Sequence, residues 1–151
     1  MAVRWYGRQF TEKMMRTAEQ RLSSFCDRIC NDIKRDMAKP KSGKQGKQTT
    51  ASAPGESPAR QTSHLVRSIV HKRSGKLREK LGTNLKYGLG LELGTRPHTI
   101  KAKGKTLAWK GDDGETVFAR SVKHPGIKAR PWLRPALSRA KADFQQLWKD
   151  K

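Results

Sequence analysis

The sequence predicts an α+β fold with a long N-terminal helix, a small antiparallel β-sheet containing a hairpin, and a C-terminal helix packed on the sheet. Three observations point to it. Apolar side chains recur every three or four residues from Phe10 to Met37. Short strand-like runs parted by glycine turns fill the middle of the chain. A second helical stripe follows Pro131. With 151 residues there is room for a single domain: helix 7–38, a flexible basic loop 39–62, a β-rich body 63–130, and a terminal helix 131–151.

The first helix carries its stripe on Phe10, Met14, Ala18, Leu22, Phe25, Ile29, Ile33 and Met37. Acid–base pairs such as Glu12–Arg16 and Asp32–Arg35 sit three or four apart beside it. A step of four residues drifts by about 40° at roughly 100° per residue, so the stripe winds to about the opposite side between Phe10 and Met37. One small domain does not easily cover both ends. Either the helix is curved and partly exposed, or its first half, with Trp5, Tyr6 and Phe10, packs on a neighbouring subunit.

Residues 39–62 hold no large apolar side chain and read as an extended loop that orders against a partner. Thr62 or Ser63 can cap a short helix through Leu65, Val66 and Ile69. Strands are expected at 68–73 and 76–82, parted by Ser74-Gly75. The run from Leu85 to Gly94 fits a helix through Leu85, Leu89 and Leu93, and a strand through Leu89, Leu91 and Leu93. Further strands are expected at 99–103, 106–110 and 115–122, the last two joined by a turn at Asp113-Gly114. From Pro131 the terminal helix places Trp132, Leu133, Leu137, Ala140, Phe144, Leu147 and Trp148 on one face, with its regular part beginning near Pro135.

Charge is the most informative part of the composition. There are 34 basic and 13 acidic side chains, a formal net charge of +21, with 34% hydrophobic residues and a mean hydropathy of −0.88. Segment 63–130 alone holds sixteen basic against five acidic residues, net +11, so the excess lies in the body and not in a tail. Such a balance implies a polyanion or an acidic protein surface close by. No apolar stretch is long enough to span a bilayer, and the first six residues lack the apolar core of a secretory signal, so neither a membrane protein nor a secreted precursor is expected.

No constellation for catalysis is readable. Cys26 and Cys30 share a helix face as free thiols, and a pair cannot complete a tetrahedral zinc site. His64, His71, His98 and His124 show no metal-ligand spacing. Asp112, Asp113 and Glu115 cluster in a turn without the ligand ladder of a calcium loop. Glu92, among leucines, is either a partly buried structural acid or an interface partner for a basic residue. No enzyme activity, metal or cofactor is expected. Lys72, Arg73, Lys76, Arg78 and Lys80 fall on neighbouring strands, and alternation puts Lys101, Lys103 and Lys105 on one face of another. Phosphates or an acidic partner suit both groups, and the mode would be sequence-independent.

Three stretches together resemble a known family. Pro54-Gly55 followed by Thr62-Ser63-His64-Leu65 and Ser68-Ile69 is similar to its opening motif, with Ser63 where glycine is usual. Gly82-Thr83-Asn84, Tyr87-Gly88 and Glu92-Leu93-Gly94-Thr95 resemble its central signature, with Gly88 for alanine. His124-Pro125-Gly126 and Ala129-Arg130-Pro131-Trp132-Leu133-Arg134-Pro135-Ala136-Leu137 resemble its closing motif, with Trp132 for phenylalanine. The chain is similar, over residues 52–140, to the head–tail joining family of tailed bacteriophages, the tail-completion, neck or minor tail proteins.

The resemblance implies a structural virion protein, assembled in the host cytoplasm into a homo-oligomeric ring, six-fold by analogy with tail tubes. The ring would join the head connector or stopper to the tail terminator or tail tube, with genomic DNA passing nearby. Candidate subunit or partner contacts are then Trp5, Tyr6, Phe10, Met14, Glu92, Thr95 and Trp132, with a core role favoured over an interface one for Trp132 and Trp148. Lys72, Arg73, Lys76, Lys101, Lys103 and Lys105 remain candidate phosphate or acidic-partner contacts. The alternative is a sequence-independent nucleic-acid-binding protein.

Overall fold

A computed structural model describes residues 6–44, 50–111 and 113–147, and the side chains of that set except 145–147. Trp5, Asp112 and Trp148 lie outside it. The chain is α+β, as the sequence predicts. Its elements run α1 (Gly7–Ala38), α2 (His64–Ser68), β1 (Val70–Gly75), β2 (Arg78–Gly82), α3 (Lys86–Leu93), β3 (His98–Lys101), β4 (Leu107–Lys110), β5 (Thr116–Ala119), β6 (Ser121–His124) and α4 (Arg134–Leu147). The undecided leucine segment is helical. The strands form three separate antiparallel pairs, β1–β2, β3–β6 and β4–β5.

The winding stripe of α1 is buried only at its far end. Ile29, Cys30, Ile33 and Met37 join Leu65 and Ile69 from the α2 segment and Trp132, Ala136 and Ala140 from the α4 segment in one core, with Ile33, Met37 and Ile69 fully buried. Helix α4 takes α1 as its main partner, and not a sheet as the sequence suggested. Arg139 pairs with Asp36 while Phe144 packs on Phe25, ring centroids 5.3 Å apart, so the two helices run antiparallel. Alanines at 136 and 140 allow the close approach, and Leu137, expected on the buried face, is exposed.

The β1–β2 hairpin rests on α1 through its polar inner face. His71 sits between Asp27 of α1, 3.0 Å from Nε2, and Glu79 of β2, 3.2 Å from Nδ1; Arg73 pairs with Glu19. The hydrogen bond to Glu79 is the largest influence on His71, and with that to Asp27 it outweighs the opposing effect of burial, holding the imidazole above its ordinary value.

The segment after α1 corrects the expectation of a loop that orders only on a partner. Where described, it is tied down by its own polar groups. Lys41 Nζ and Ser57 Oγ both donate to the Asp36 carbonyl, 2.8 and 2.9 Å away, closing the last turn of α1. Glu56 accepts from the backbone N–H of Ser42 and of Ala53. The short helix α2 also departs from expectation. Neither Thr62 nor Ser63 caps it by side chain; Ser63 instead takes a left-handed conformation, φ 61°.

The strand expected at 115–122 is broken at Arg120 into β5 and β6. Across from Arg120, residues 102–106 bulge out, tied by Ala102 N–H to the Arg120 carbonyl at 2.9 Å. The ladders β3–β6 and β4–β5 are thereby two storeys of one long arm, residues 98–124. Lys103 and Lys105 lie in the bulge, so no single strand face carries them with Lys101.

Two outcomes are expected in urea unfolding of the monomer. Ile33→Ala should cost about 2–5 kcal/mol, the range for deleting a fully buried aliphatic side chain, whereas Phe10→Ala, exposed in the single chain, should stay within about 0.5 kcal/mol. His71 contributes stability through a raised folded pKa. That contribution is complete below its unfolded value, near the ordinary 6.5, and is lost as pH rises through the higher folded value. His71→Gln should flatten this part of the stability–pH curve.

Candidate interaction surfaces

All three sequence motifs converge at the start of α4. Glu92, in the last turn of α3, is 7% exposed and points its carboxylate at the chain ahead of that helix. Oε2 accepts from the N–H of Trp132 at 2.6 Å and of Leu133 at 2.9 Å; Oε1 accepts from that of Arg134 at 3.0 Å. These donors have no partner within the helix, and a carboxylate there also meets the favourable end of the helix dipole. The Arg134 guanidinium lies 3.6 Å from Oε1. Beside it, Trp132 Nε1 donates to the Gly88 carbonyl at 3.0 Å, and Arg130 N–H donates to that of Leu91 at 2.7 Å.

One turn further, Thr95 and Ile127 exchange backbone hydrogen bonds of 2.8 and 3.1 Å. Gly94 and Gly126 flank this bridge at φ 75° and 84°, and a side chain on either would strike the backbone opposite, Ile127 O and Thr95 O respectively. The first motif reaches the same place: Gly55 N–H donates to the Ala129 carbonyl at 2.9 Å and Arg130 Nε to that of Ser52 at 3.0 Å.

Glu92 is therefore the structural acid of the two options, and its carboxylate is taken up inside the chain instead of facing another subunit. Trp132, 5% exposed, is likewise core and not interface. Thr95 is exposed, but its hydroxyl accepts from Ile127 N–H at 3.0 Å. Nearby, a groove of about 500 Å³ runs between residues 58–66 and α3, floored by Leu65, Val66 and Leu91. Of its two arginines, Arg130 is engaged with the Ser52 carbonyl and Arg60 with the Ser63 hydroxyl, and no carboxylate lies beside its histidine. Among the described residues no group of three or more His, Cys, Asp or Glu could hold a metal ion, and no helix is long and apolar enough to cross a membrane.

Apolar side chains are left without cover in the single chain on α3, where Tyr87, Leu89 and Leu93 are 49%, 65% and 53% exposed, at the start of α1, and on the arm. At the start of α1, Tyr6, Phe10 and Met14 are 55%, 65% and 57% exposed. On the arm, Ile100, Trp109, Val117 and Phe118 are exposed, Phe118 by 65%. Trp109 and Val117 are direct cross-strand partners, and Ala108 faces Phe118 on the opposite side of the ladder, so both faces of the arm are apolar. Sequence reasoning missed the arm residues. The signal was present in Val117-Phe118-Ala119, since three consecutive apolar residues cannot all lie on one face of a strand.

The basic candidates divide in two by register. Arg73, opposite Glu79, lies on the inner face and is engaged with Glu19. Lys72 is directly opposite Lys80 on the outer face, with Lys76 in the turn, all three exposed. Lys101 ends β3 opposite Ser121, while Lys103 and Lys105 occupy the bulge. No family model matches the sequence, and no curated protein or solved structure matches it either.

Removing the central carboxylate should be costly. Glu92→Ala strands three backbone donors and should destabilise the protein by about 2–4 kcal/mol, read as a shift of the urea midpoint. Glu92→Gln retains one acceptor oxygen and should cost less.

Proposed function

We propose that this chain is a structural subunit of a bacteriophage neck, a head–tail joining or tail-completion protein that acts by assembling into a ring. The observation that carries the reading is the convergence at α4. The three stretches that resemble the family, far apart in sequence, meet through Glu92, Thr95–Ile127 and Gly55–Ala129. Ser63, which replaces the usual glycine, takes the left-handed backbone that glycine adopts most readily. Motif residues that turn out to be helix caps, tight approaches and core anchors are what a resemblance of fold requires.

The ring part of the reading draws on two of the uncovered apolar surfaces. A head-to-tail ring needs two different patches on each subunit, and the start of α1 and the arm 98–124 supply one each. A small core of the kind seen here leaves further burial to assembly. The neighbours of such a ring would be connector or stopper and terminator or tail-tube proteins, and its place would be the virion neck. A free nucleic-acid-binding protein is the other reading; it draws on the net charge of +21 but leaves both apolar patches unused.

Native mass spectrometry of the purified chain at low and moderate volatile salt is expected to show a discrete closed oligomer. Phe10→Ser or Phe118→Ser should shift it to monomer while leaving the far-ultraviolet circular dichroism unchanged. Monomer alone for the unsubstituted chain at both salts would count against self-closure.

A further inference from the structure

We propose that the outer face of the β1–β2 hairpin, centred on the Lys72–Lys80 pair with Lys76 at its turn, is a sequence-independent contact for the phosphate backbone of duplex DNA. The proposal does not rest on the ring reading. It starts from the segregation of charge across the hairpin. His71 and Arg73 on the inner face both have carboxylate partners, His71 with Asp27 and Glu79, and Arg73 with Glu19; Arg78, at the turn end of β2, has none among the described residues. The one acid of the hairpin, Glu79, is spent there. On the outer face Lys72 and Lys80 are cross-strand partners, so their β-carbons are about 5 Å apart, and like charges placed so repel. Neither they nor Lys76 is paired with a carboxylate among the described residues. A fold able to place an acid opposite a cation on one side of a two-stranded ladder sets two cations opposite each other on the other. An anion held between the two ammonium groups removes that repulsion.

The surroundings favour phosphate over an acidic protein. Protein interfaces are anchored by aromatic and large apolar side chains buried at their centre. The large apolar side chains exposed on the hairpin are only Val70, at its base, and Leu77, in its turn, with no aromatic among them. Phosphate contacts need cations alone, on a surface open enough to follow a backbone. The arm 98–124 has the opposite make-up, with Trp109 and Phe118 exposed among its lysines, and suits a protein partner.

The test is fluorescence anisotropy of the full chain with a labelled mixed-sequence DNA duplex over a series of salt concentrations. It compares the wild type, Lys72→Gln/Lys80→Gln, and the charge-matched control Lys103→Gln/Lys105→Gln. The outer-face variant should lower the slope of log K against log salt by about 1.8, roughly 0.9 for each of two lost phosphate contacts. The control should change it far less. The unfolding midpoint of the outer-face variant should equal or exceed that of the wild type, because the repulsion is gone.

Equal losses in both variants would reduce the effect to net charge and overturn the assignment. So would an unchanged slope, a lowered midpoint, or displacement of the duplex by polyglutamate at equal charge concentration as readily as by unlabelled duplex. Because oligomeric state is read separately by mass spectrometry, a failed ring and a failed phosphate contact are distinguishable.

Discussion

The placement of α4 depends on a single carboxylate. Glu92 gathers the backbone donors of residues 132–134, and in doing so sets where the last helix begins and which way it points. Because three hydrogen bonds diverge from one rigid group, the chain has little freedom to rotate about the junction. Trp132 is delivered into the core by the same contact, and its indole N–H then reaches the Gly88 carbonyl, one helical turn before Glu92 itself. Cap and anchor are mutually dependent: each holds the other element in the position that lets it form. The Thr95–Ile127 bridge adds a second tie between the same two segments and closes the base from which the arm projects.

Around that junction the molecule divides its labour by surface. The far half of α1, the α2 segment and α4 make the core. The near half of α1 and the arm present apolar side chains to solvent, and the β1–β2 hairpin presents cations. A net charge of +21 raises the electrostatic cost of any compact state, and here that cost is limited by spending the acids where they neutralise buried or facing groups. Asp36 shows the balance. Burial alone would raise its pKa, yet hydrogen bonds from Lys39 and Arg139 outweigh this and hold it below the ordinary carboxylate value.

Helix α1 was legible to its boundaries, because a stripe at steps of three and four over that length admits no other periodic structure. The same stripe implied that its two ends would not both be covered, and the structure buries Ile33 and Met37 while leaving Phe10 and Met14 exposed. The leucine segment before Gly94 was not decidable, since its spacing satisfies both periods, and long-range hydrogen bonds to Glu92 and Gly88 accompany the helical outcome. Order at residues 39–44 and 50–62 was hidden for a different reason: it comes from hydrogen bonds of Lys41, Glu56 and Ser57 to backbone groups, and hydropathy carries no record of such contacts. The arm was misjudged because a one-sided bulge leaves the opposite strand looking continuous. Of the candidate site, the cations were legible as residues but not as faces: register alone separates Lys72, which is free, from Arg73, which is engaged.

The antiparallel pairing of α1 with α4 joins the first element of the chain to the last, as the contact between Asp36 and Arg139 records. During synthesis, α1 leaves the ribosome long before its cover exists. Until residues 132–144 emerge, the side chains of Ile29, Ile33 and Met37 lack Trp132, Ala136 and Ala140, and chain-end fragments expose that face to other nascent chains. The core thus closes through contacts of high sequence separation. A chain cut short before α4 loses Trp132, Ala136 and Ala140 from the core and not merely its final helix.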